Sequence, residues 1–72
     1  MNKITDVQAL GETIRQERKR QNVTQAELAA LAGVGVRFLR ELEHGKLGCQ
    51  LGHTFLVLNT LGINVTAAPR HL

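Results

Sequence analysis

The chain has 72 residues and a formal net charge of +3, with 43% hydrophobic and 21% charged residues. This composition excludes a disordered chain, and the length suits one domain, residues 1–72, near the lower limit for a self-supporting core. Phenylalanine occurs twice and tryptophan and tyrosine not at all, so we expect an aliphatic core. Such a core gives limited stability, which favours dimerisation, and the basic charge favours an anionic partner such as nucleic acid.

Several classes of function find no support in the residues. Cys49 is the single cysteine, which excludes an intrachain disulfide and a multi-cysteine metal site. The three histidines have no metal-ligand spacing with other donors, and no nucleophile–base pair can be assembled, so we predict no catalytic site, no metal and no cofactor. No long apolar run begins the sequence, which predicts a cytoplasmic protein without a signal peptide or membrane span.

The first predicted helix begins after Thr5, which can act as its N-cap with Gln8 as the capping-box partner. Its apolar residues recur at helical spacing and form the core stripe Val7, Leu10 and Ile14. Its last turns carry the basic residues Arg15, Arg18, Lys19 and Arg20. This cluster either complements the helix dipole on a solvated face or contacts phosphates beside a duplex, and both interpretations stay open. Asn22 can end the helix in a left-handed turn.

A capping box marks the start of the second predicted helix. Thr24 is a good N-cap residue and Glu27 follows three positions later, so we expect the helix to start at Gln25. Gly33 can adopt the left-handed conformation that ends a helix.

The third predicted helix lies between two glycines. Gly35 is tolerated as an N-cap, and Gly45 ends the helix. Leu39 and Leu42 share one face, which we expect to be buried.

Arg37 and Arg40 are three residues apart on this third helix, so they share a face beside the leucine face. A short helix, a glycine turn and a second helix that displays arginines are typical of a helix-turn-helix DNA-binding motif. We assign this motif to residues 24–46.

The fourth predicted helix runs from about Gln50 to Leu61 and is closed by Gly62. An apolar surface is formed along this helix at i, i+4 and i+7 by Leu51, Phe55 and Leu58. Further apolar residues widen this surface, namely Leu56, Val57 and Leu61. The surface is broader than one small core needs, so we expect part of it to face a second subunit.

Residues 63–67 alternate apolar and polar side chains, which is a strand pattern at the start of the tail, residues 63–72. A lone strand cannot satisfy its backbone hydrogen bonds, so it needs the N-terminal arm, a second copy of itself or a partner protein. Pairing across a twofold dimer is the most economical arrangement, because a symmetric dimer also places two reading helices on DNA.

Three short motifs carry a resemblance to a known family: Thr24-Gln25-x-Glu27-Leu28-Ala29, Ala32-Gly33-Val34 and Leu42-Glu43-x-Gly45-Lys46. With them, residues 8–61 resemble the phage-repressor helix-turn-helix family (Cro/C1, or XRE) without gaps in the spacing. The resemblance implies an all-α, lambda-repressor-like domain of four or five helices that reads the major groove as a dimer.

A finer resemblance is to HipB-like antitoxins, the DNA-binding partners of HipA-type Ser/Thr kinase toxins. It rests on the stretches Gly33-Val34-Gly35-Val36-Arg37-Phe38-Leu39-x-Glu41-Leu42-Glu43-x-Gly45-Lys46, Gln50-Leu51-Gly52 and Val57-Leu58-x-x-Leu61-Gly62. Members of this subgroup commonly end in a strand that pairs across the dimer, which agrees with the pattern of the tail.

The candidate DNA-binding residues are Thr24, Gln25, Gly35, Val36, Arg37, Arg40 and Lys46. Gln25 and the N–H groups of its helix terminus can hold a phosphate, although a surface glutamine at a helix start is also common. Arg37 can make a bidentate contact to guanine, worth about 1–3 kcal/mol of discrimination, and Arg40 can do the same or bind phosphate. Both arginines can instead stay solvated or form intrahelical pairs. Val36 either contacts a thymine methyl group or packs, and Lys46 can bind phosphate.

Two positions depart from the broad family pattern. Gly35 replaces the usual Ser or Thr, which removes a phosphate-binding hydroxyl. Phe38 replaces a small polar residue, and we expect it to pack against the domain, the alternative being that it lies over the sugar–phosphate backbone. Glu43 matches a family position with a structural role. We expect it to form a salt bridge across the helices, to Arg18 or to Arg15.

Three functions are compatible with the sequence. The first is a dimeric repressor that binds an inverted-repeat operator in double-stranded DNA and is also the antitoxin of a HipA-like kinase toxin. The second is a stand-alone regulator of the same fold, and gene neighbourhood would separate these two. The third is a protein-interaction module on the same scaffold, for which Arg37 and Arg40 would be dispensable. An enzyme is disfavoured, and no membrane partner is expected.

Overall fold

The computed structural model describes residues 3–70, so predictions that concern residues 1, 2, 71 and 72 lie outside the described part of the chain. It contains four helices, α1 (Val7–Arg20), α2 (Gln25–Ala32), α3 (Val36–Glu43) and α4 (Leu51–Leu61). The predicted all-α class is confirmed. Between residues 3 and 70, no helix is long and apolar enough to cross a membrane.

The core is aliphatic, as predicted from the scarcity of aromatic residues. All four helices contribute to it, and α3 supplies the two leucines expected to face inward. The buried apolar residues are Ile14, Leu28, Ala29, Ala32, Leu39, Leu42, Val57, Leu58 and Leu61. In the predicted stripe of α1, Ile14 is fully buried and Leu10 packs against the cluster, whereas Val7 is half-buried and does not belong to it.

The start of α1 differs from the prediction by one residue. Asp6, and not Thr5, is the N-cap, and its Oδ1 accepts the N–H of Ala9 at 2.7 Å. A carboxylate serves this position well because it accepts the free N–H group and also carries a negative charge at the positive end of the helix dipole. Asp6 therefore lies before the first helical turn, and the expected capping pair of Thr5 and Gln8 does not determine where the helix begins.

All four helices end in the same way. The residue with left-handed backbone is Asn22, Gly33, Gly45 or Gly62. The residue after it donates its N–H to a carbonyl five residues earlier: Val23 to Arg18, Val34 to Ala29, Lys46 to Glu41 and Ile63 to Leu58, at 2.9–3.2 Å. This is the Schellman arrangement, which usually places an apolar residue against the last turn. After α1, α2 and α4 that residue is apolar and packs against the core, whereas after α3 it is the exposed Lys46.

Backbone contact sets the distance between α1 and α3. A Cβ at Gly11 would overlap the carbonyl oxygen of Leu42 and lie 3.0 Å from that of Glu43. One turn away, a Cβ at Gly45 would lie 2.7 Å from the Cα of Gln8. Glycine at these positions allows α1 to cross directly over the C-terminal end of α3.

The broad apolar surface predicted for α4 lies partly in the core and partly outside it. Leu58 is buried, but Leu51 is 66% exposed and Phe55 is 39% exposed. The inward face instead includes Thr54, whose hydroxyl donates to the carbonyl of Gln50 at 2.9 Å and can therefore be buried without losing a hydrogen bond. A row of apolar side chains on α4 thus faces outward, which agrees with the expectation that this surface is broader than one small core needs.

The tail and α4 border an apolar groove with a volume of about 830 Å³. Its walls include Leu51 and Phe55 from α4, Leu10 from α1, and Val65 from the tail. Residues 63–70 have no assigned helix or strand in the single chain. The predicted strand over 63–67 requires a pairing partner, so its formation across a dimer stays a prediction.

Replacing Gly11 with alanine tests the close crossing of α1 and α3. Gly11→Ala should lower the free energy of unfolding by about 1–3 kcal/mol, since the added methyl group has to displace main-chain atoms. Gly52→Ala is the matched control, because a Cβ there meets only Gln50 Oε1, at 3.9 Å. Urea unfolding should show this variant unchanged or stabilised by up to about 1 kcal/mol. Equal midpoints for the two variants would contradict the described crossing.

Candidate nucleic-acid interface

The outer face of α3 carries the arginines predicted to contact DNA. Leu39 and Leu42 are buried on the inner side, whereas Val36, Arg37 and Arg40 are exposed. The side chain of Arg37 is 87% exposed. Helical geometry places Arg37 on the side opposite the leucines, with Arg40 one turn further along the same face. Both guanidinium groups are therefore accessible to a ligand.

The predicted capping box at the start of α2 is present. The hydroxyl of Thr24 accepts the N–H of Glu27 at 3.1 Å, and the carboxylate of Glu27 accepts the N–H of Thr24 at 2.9 Å. That N–H lowers the pKa of Glu27 below its usual 4.5, because it favours the charged carboxylate. The hydroxyl of Thr24 acts here as an acceptor, so its own proton remains available to a phosphate.

Gln25 is held in place by a hydrogen bond to α3. Its side-chain Nε2 donates to Glu43 Oε1 at 3.0 Å. This bond uses one of the two amide hydrogens and leaves the amide oxygen and the other hydrogen for a ligand. Gln25 is half-buried, so the bond fixes the side chain at the junction of α2 and α3.

Glu43 is the centre of a buried ion pair with Arg18. Arg18 Nε donates to Glu43 Oε2 at 2.7 Å, and Nη2 donates to Oε1 at 3.0 Å. The third nitrogen, Nη1, donates to the carbonyl of Val23 at 2.9 Å. The predicted salt bridge therefore forms with Arg18 and not with Arg15. It joins the end of α1, the α1–α2 turn and the end of α3.

Internal pairing takes up most of the basic cluster of α1. Arg18 is buried, so phosphate contact is excluded for this residue. Arg20 donates to both carboxylate oxygens of Glu17. Together with Gln21, this contact lowers the pKa of Glu17 from 4.5 to about 2. Arg15 lies 3.9 Å from Glu12, an exposed pair of little energetic weight.

Glu41 lies between two of the predicted DNA-contacting cations. Its Oε2 accepts from Lys46 Nζ at 3.1 Å and lies 3.6 Å from Arg37 Nε. The ammonium group of Lys46 is the main cause of a lowered pKa for the Glu41 carboxyl group. The i, i+4 spacing of Arg37 and Glu41 indicates the first pair in the sequence, whereas the pair of Glu41 with Lys46 was not predicted. The available signal was Gly45, whose left-handed turn folds Lys46 back over the last turn of α3.

The two departures from the family pattern have structural explanations. Gly35 is the N-cap of α3 and makes no side-chain hydrogen bond, so it leaves this end of the helix open. Phe38 is half-buried and meets His53 edge-on, with ring centroids 5.5 Å apart. The ring thus packs α3 against α4, as expected, and does not point away from the domain.

Comparison with known proteins identifies similar chains. A family model described as Helix-turn-helix (HTH_3) matches residues 14–54. An uncharacterized HTH-type transcriptional regulator, y4mF of Sinorhizobium fredii (strain NBRC 101917 / NGR234), is 48% identical over 56 residues, which cover 78% of this chain and 74% of that protein.

Solved structures with the same fold include several that contain HipB. The chain matched in a HipA–HipB–O2–O3 complex has a TM-score of 0.88 and 22% identity, and covers 99% of this chain and 100% of its own. A HipB–O4 20mer complex gives the same values. At this level of identity the likeness establishes the arrangement of the helices.

The buried ion pair can be tested by substitution. Glu43→Gln should lower the free energy of unfolding by about 3–5 kcal/mol, because it leaves the Arg18 guanidinium buried without a compensating charge. A domain of this size is stable by only about 5–15 kcal/mol, so the loss should be clear in urea or thermal unfolding. Glu12→Gln, which removes an exposed carboxylate from α1, should change stability by less than about 0.5 kcal/mol. A Glu43→Gln protein as stable as Glu12→Gln would refute the structural role of the pair.

Proposed function

This chain belongs to the XRE-type helix-turn-helix family, and from that premise we propose that it is a sequence-specific DNA-binding repressor that acts as a dimer. The observation that carries the proposal is the outer face of α3, where Arg37 and Arg40 are exposed opposite the buried leucines. The family and its 48% identical relative are regulators and not enzymes, as the sequence predicted.

The proposed contacts divide into two kinds. Arg37 and Arg40 enter the major groove with α3 and read base edges, with Val36 placed near a thymine methyl group. Thr24, Gln25 and Lys46 lie at the ends of α2 and α3 and hold backbone phosphates, which fix the position of α3 in the groove. Because Gly35 has no side chain, the main-chain N–H groups at the start of α3 can closely approach the sugar–phosphate backbone of the DNA. A protein with this role acts on the nucleoid in the cytoplasm.

A dimer is supported by the surface on the α4 side of the molecule. Leu51, Phe55 and Leu56 are exposed there beside the groove that the tail borders. A row of exposed apolar side chains is costly in water and is typical of an interface. Twofold pairing of α4, with the tails as strands, would cover it and place two copies of α3 on the half-sites of an inverted repeat.

We further propose that the protein is a HipB-like antitoxin that forms a complex with a HipA-like kinase toxin. The support is the fold, which superposes on HipB over nearly the whole chain, including HipB in a complex with HipA. The alternative is a stand-alone regulator of the same family, which the relative y4mF represents by its description as a transcriptional regulator.

DNA binding can be tested by selecting a binding site from random duplexes. The selected duplexes should converge on an inverted repeat with half-sites about 34 Å apart, and gel shifts should show tighter binding than to a scrambled duplex. Arg37→Ala and Arg40→Ala should each lower affinity for the selected duplex. Where the arginine reads a base, about 1–3 kcal/mol of discrimination should be lost at one position of the site.

Arg70→Ala is the control for the loss of one positive charge, because Arg70 lies in the tail outside the proposed interface. It should leave the preference for the selected duplex intact. Failure of the selection to converge, or full binding by the double variant Arg37→Ala/Arg40→Ala, would refute the DNA-reading role. The second result would instead favour a protein-interaction module.

The antitoxin role predicts a stable complex with a kinase. Co-expression of the tagged protein with the product of the adjacent gene should recover a kinase-like protein in stoichiometric amounts, and its toxicity to the host cells should fall. If the adjacent gene encodes no kinase, or its product neither co-purifies nor is neutralised, the stand-alone regulator is the correct alternative. DNA binding by the free protein would be unaffected by that outcome.

A further inference from the structure

We propose that Glu41 determines specificity in the DNA interface by competing with phosphate for Lys46 while leaving Arg37 free to read a base. The inference rests on the proposed DNA-binding function and concerns the same face of the molecule. Glu41 would thereby weaken binding to DNA of arbitrary sequence more than binding to the operator.

The geometry places one carboxylate against two cations. Glu41 Oε2 is 3.1 Å from Lys46 Nζ and 3.6 Å from Arg37 Nε. The Glu41 side chain is 32% exposed, against 57% for Lys46 and 87% for Arg37. The carboxylate is the most buried of the three groups. The two cations are more exposed and are therefore the groups that an approaching phosphate would contact first.

The main chain fixes the pair of Glu41 and Lys46. The N–H of Lys46 donates to the carbonyl of Glu41 at 3.0 Å, and Gly45 between α3 and Lys46 has a φ of +75°. After α1, α2 and α4, the residue that follows the left-handed position is apolar and packs against the last turn. In α3 an ion pair replaces that apolar contact, so the folded backbone holds Lys46 beside Glu41 before any ligand binds.

The two cations are affected differently. Lys46 carries one compact positive charge, which the Glu41 carboxylate offsets, so a phosphate gains less from Lys46 than it would from an unpaired lysine. Arg37 faces Glu41 with Nε, which leaves its two terminal nitrogens for an end-on, bidentate contact to guanine O6 and N7. The carboxylate therefore opposes the phosphate contact and is compatible with the base contact.

This difference produces specificity because phosphates are present at every position of a duplex. Binding to arbitrary DNA depends almost entirely on cation–phosphate contacts, whereas operator binding adds base contacts. Glu41 weakens the contact of Lys46 with phosphate in both kinds of complex, but by holding Arg37 at Nε it also orients the base contact that only the operator complex contains, and this raises the ratio of the two affinities. A uniformly basic surface would bind more tightly and discriminate less.

The experiment compares wild-type protein with Glu41→Gln on two probes, the selected duplex and a scrambled duplex of the same composition. Affinity for the scrambled duplex should rise about 3- to 10-fold at moderate salt, and the slope of log K against log salt should steepen by about 0.9, as for one more phosphate contact. Affinity for the selected duplex should rise less, so that the ratio of affinities falls. Glu12→Gln makes the same change in net charge on α1 and should leave the ratio unchanged.

A double-mutant cycle isolates the pair. Lys46→Gln should weaken binding to the scrambled duplex more in the Glu41→Gln background than in the wild type. In that background no carboxylate offsets the charge of Lys46, so its contact with phosphate contributes more. Glu41→Ala repeats the test in case the glutamine amide still binds Lys46, and thermal unfolding confirms that each variant is folded.

Two results separate this inference from the proposed function. If the wild type prefers the selected duplex but Glu41→Gln keeps both the same salt slope and the same ratio, the role of Glu41 is refuted and DNA reading stands. If the wild type shows no preference for any selected duplex, the proposed function fails and the inference fails with it.

Discussion

The position of α3 depends on one buried carboxylate. Glu43, at the last turn of α3, is bonded by Arg18 from α1 and by Gln25 from α2. An ion buried this deeply is stabilising only when its charge and its hydrogen bonds are all matched. Here they are, since no buried side-chain nitrogen or oxygen lacks a hydrogen-bond partner in the described part of the chain. The network thus fixes the orientation of α3 relative to both neighbouring helices.

The same network connects the scaffold to the proposed DNA interface. Gln25 belongs to both, because its amide is anchored on Glu43 and still has an acceptor and a donor to offer. A side chain held by a neighbouring buried group loses little freedom when it binds a ligand, and that lowers the entropic cost of the contact. The interface therefore combines an anchored group, Gln25, with the more exposed Lys46 and Arg37.

Features that depend on neighbours in sequence could be predicted from the sequence. The capping box of Thr24 and Glu27 and the glycine ends of α2 and α4 are examples, since each involves residues only a few positions apart. The N-cap of α1 was predicted as Thr5 and is Asp6. Both residue types can cap a helix, and nothing in the sequence shows which of the two begins it.

Features that depend on helix packing could be predicted only in part. Apolar spacing in α4 identified an apolar helix, but it could not separate the residues that meet the core from Leu51 and Phe55, which face outward. Arg18 stood in a run of basic residues whose pattern is that of a solvated face, and only the crossing of α1 over α3 buries it. The same crossing leaves no room for a Cβ at Gly11, and the residues next to Gly11 in the sequence do not indicate this.

The recurrent helix ending has a consequence for how the chain folds. Each of the four terminations is made from atoms within six consecutive residues and needs no contact from another helix. The C-terminal ends of the helices are therefore encoded locally, and the search for the native structure is reduced to docking four segments whose C-terminal ends are already specified. Local specification of this kind lowers contact order, which is the property that most accelerates folding of small domains. A short regulatory protein with this design can regain its structure quickly after each unfolding event.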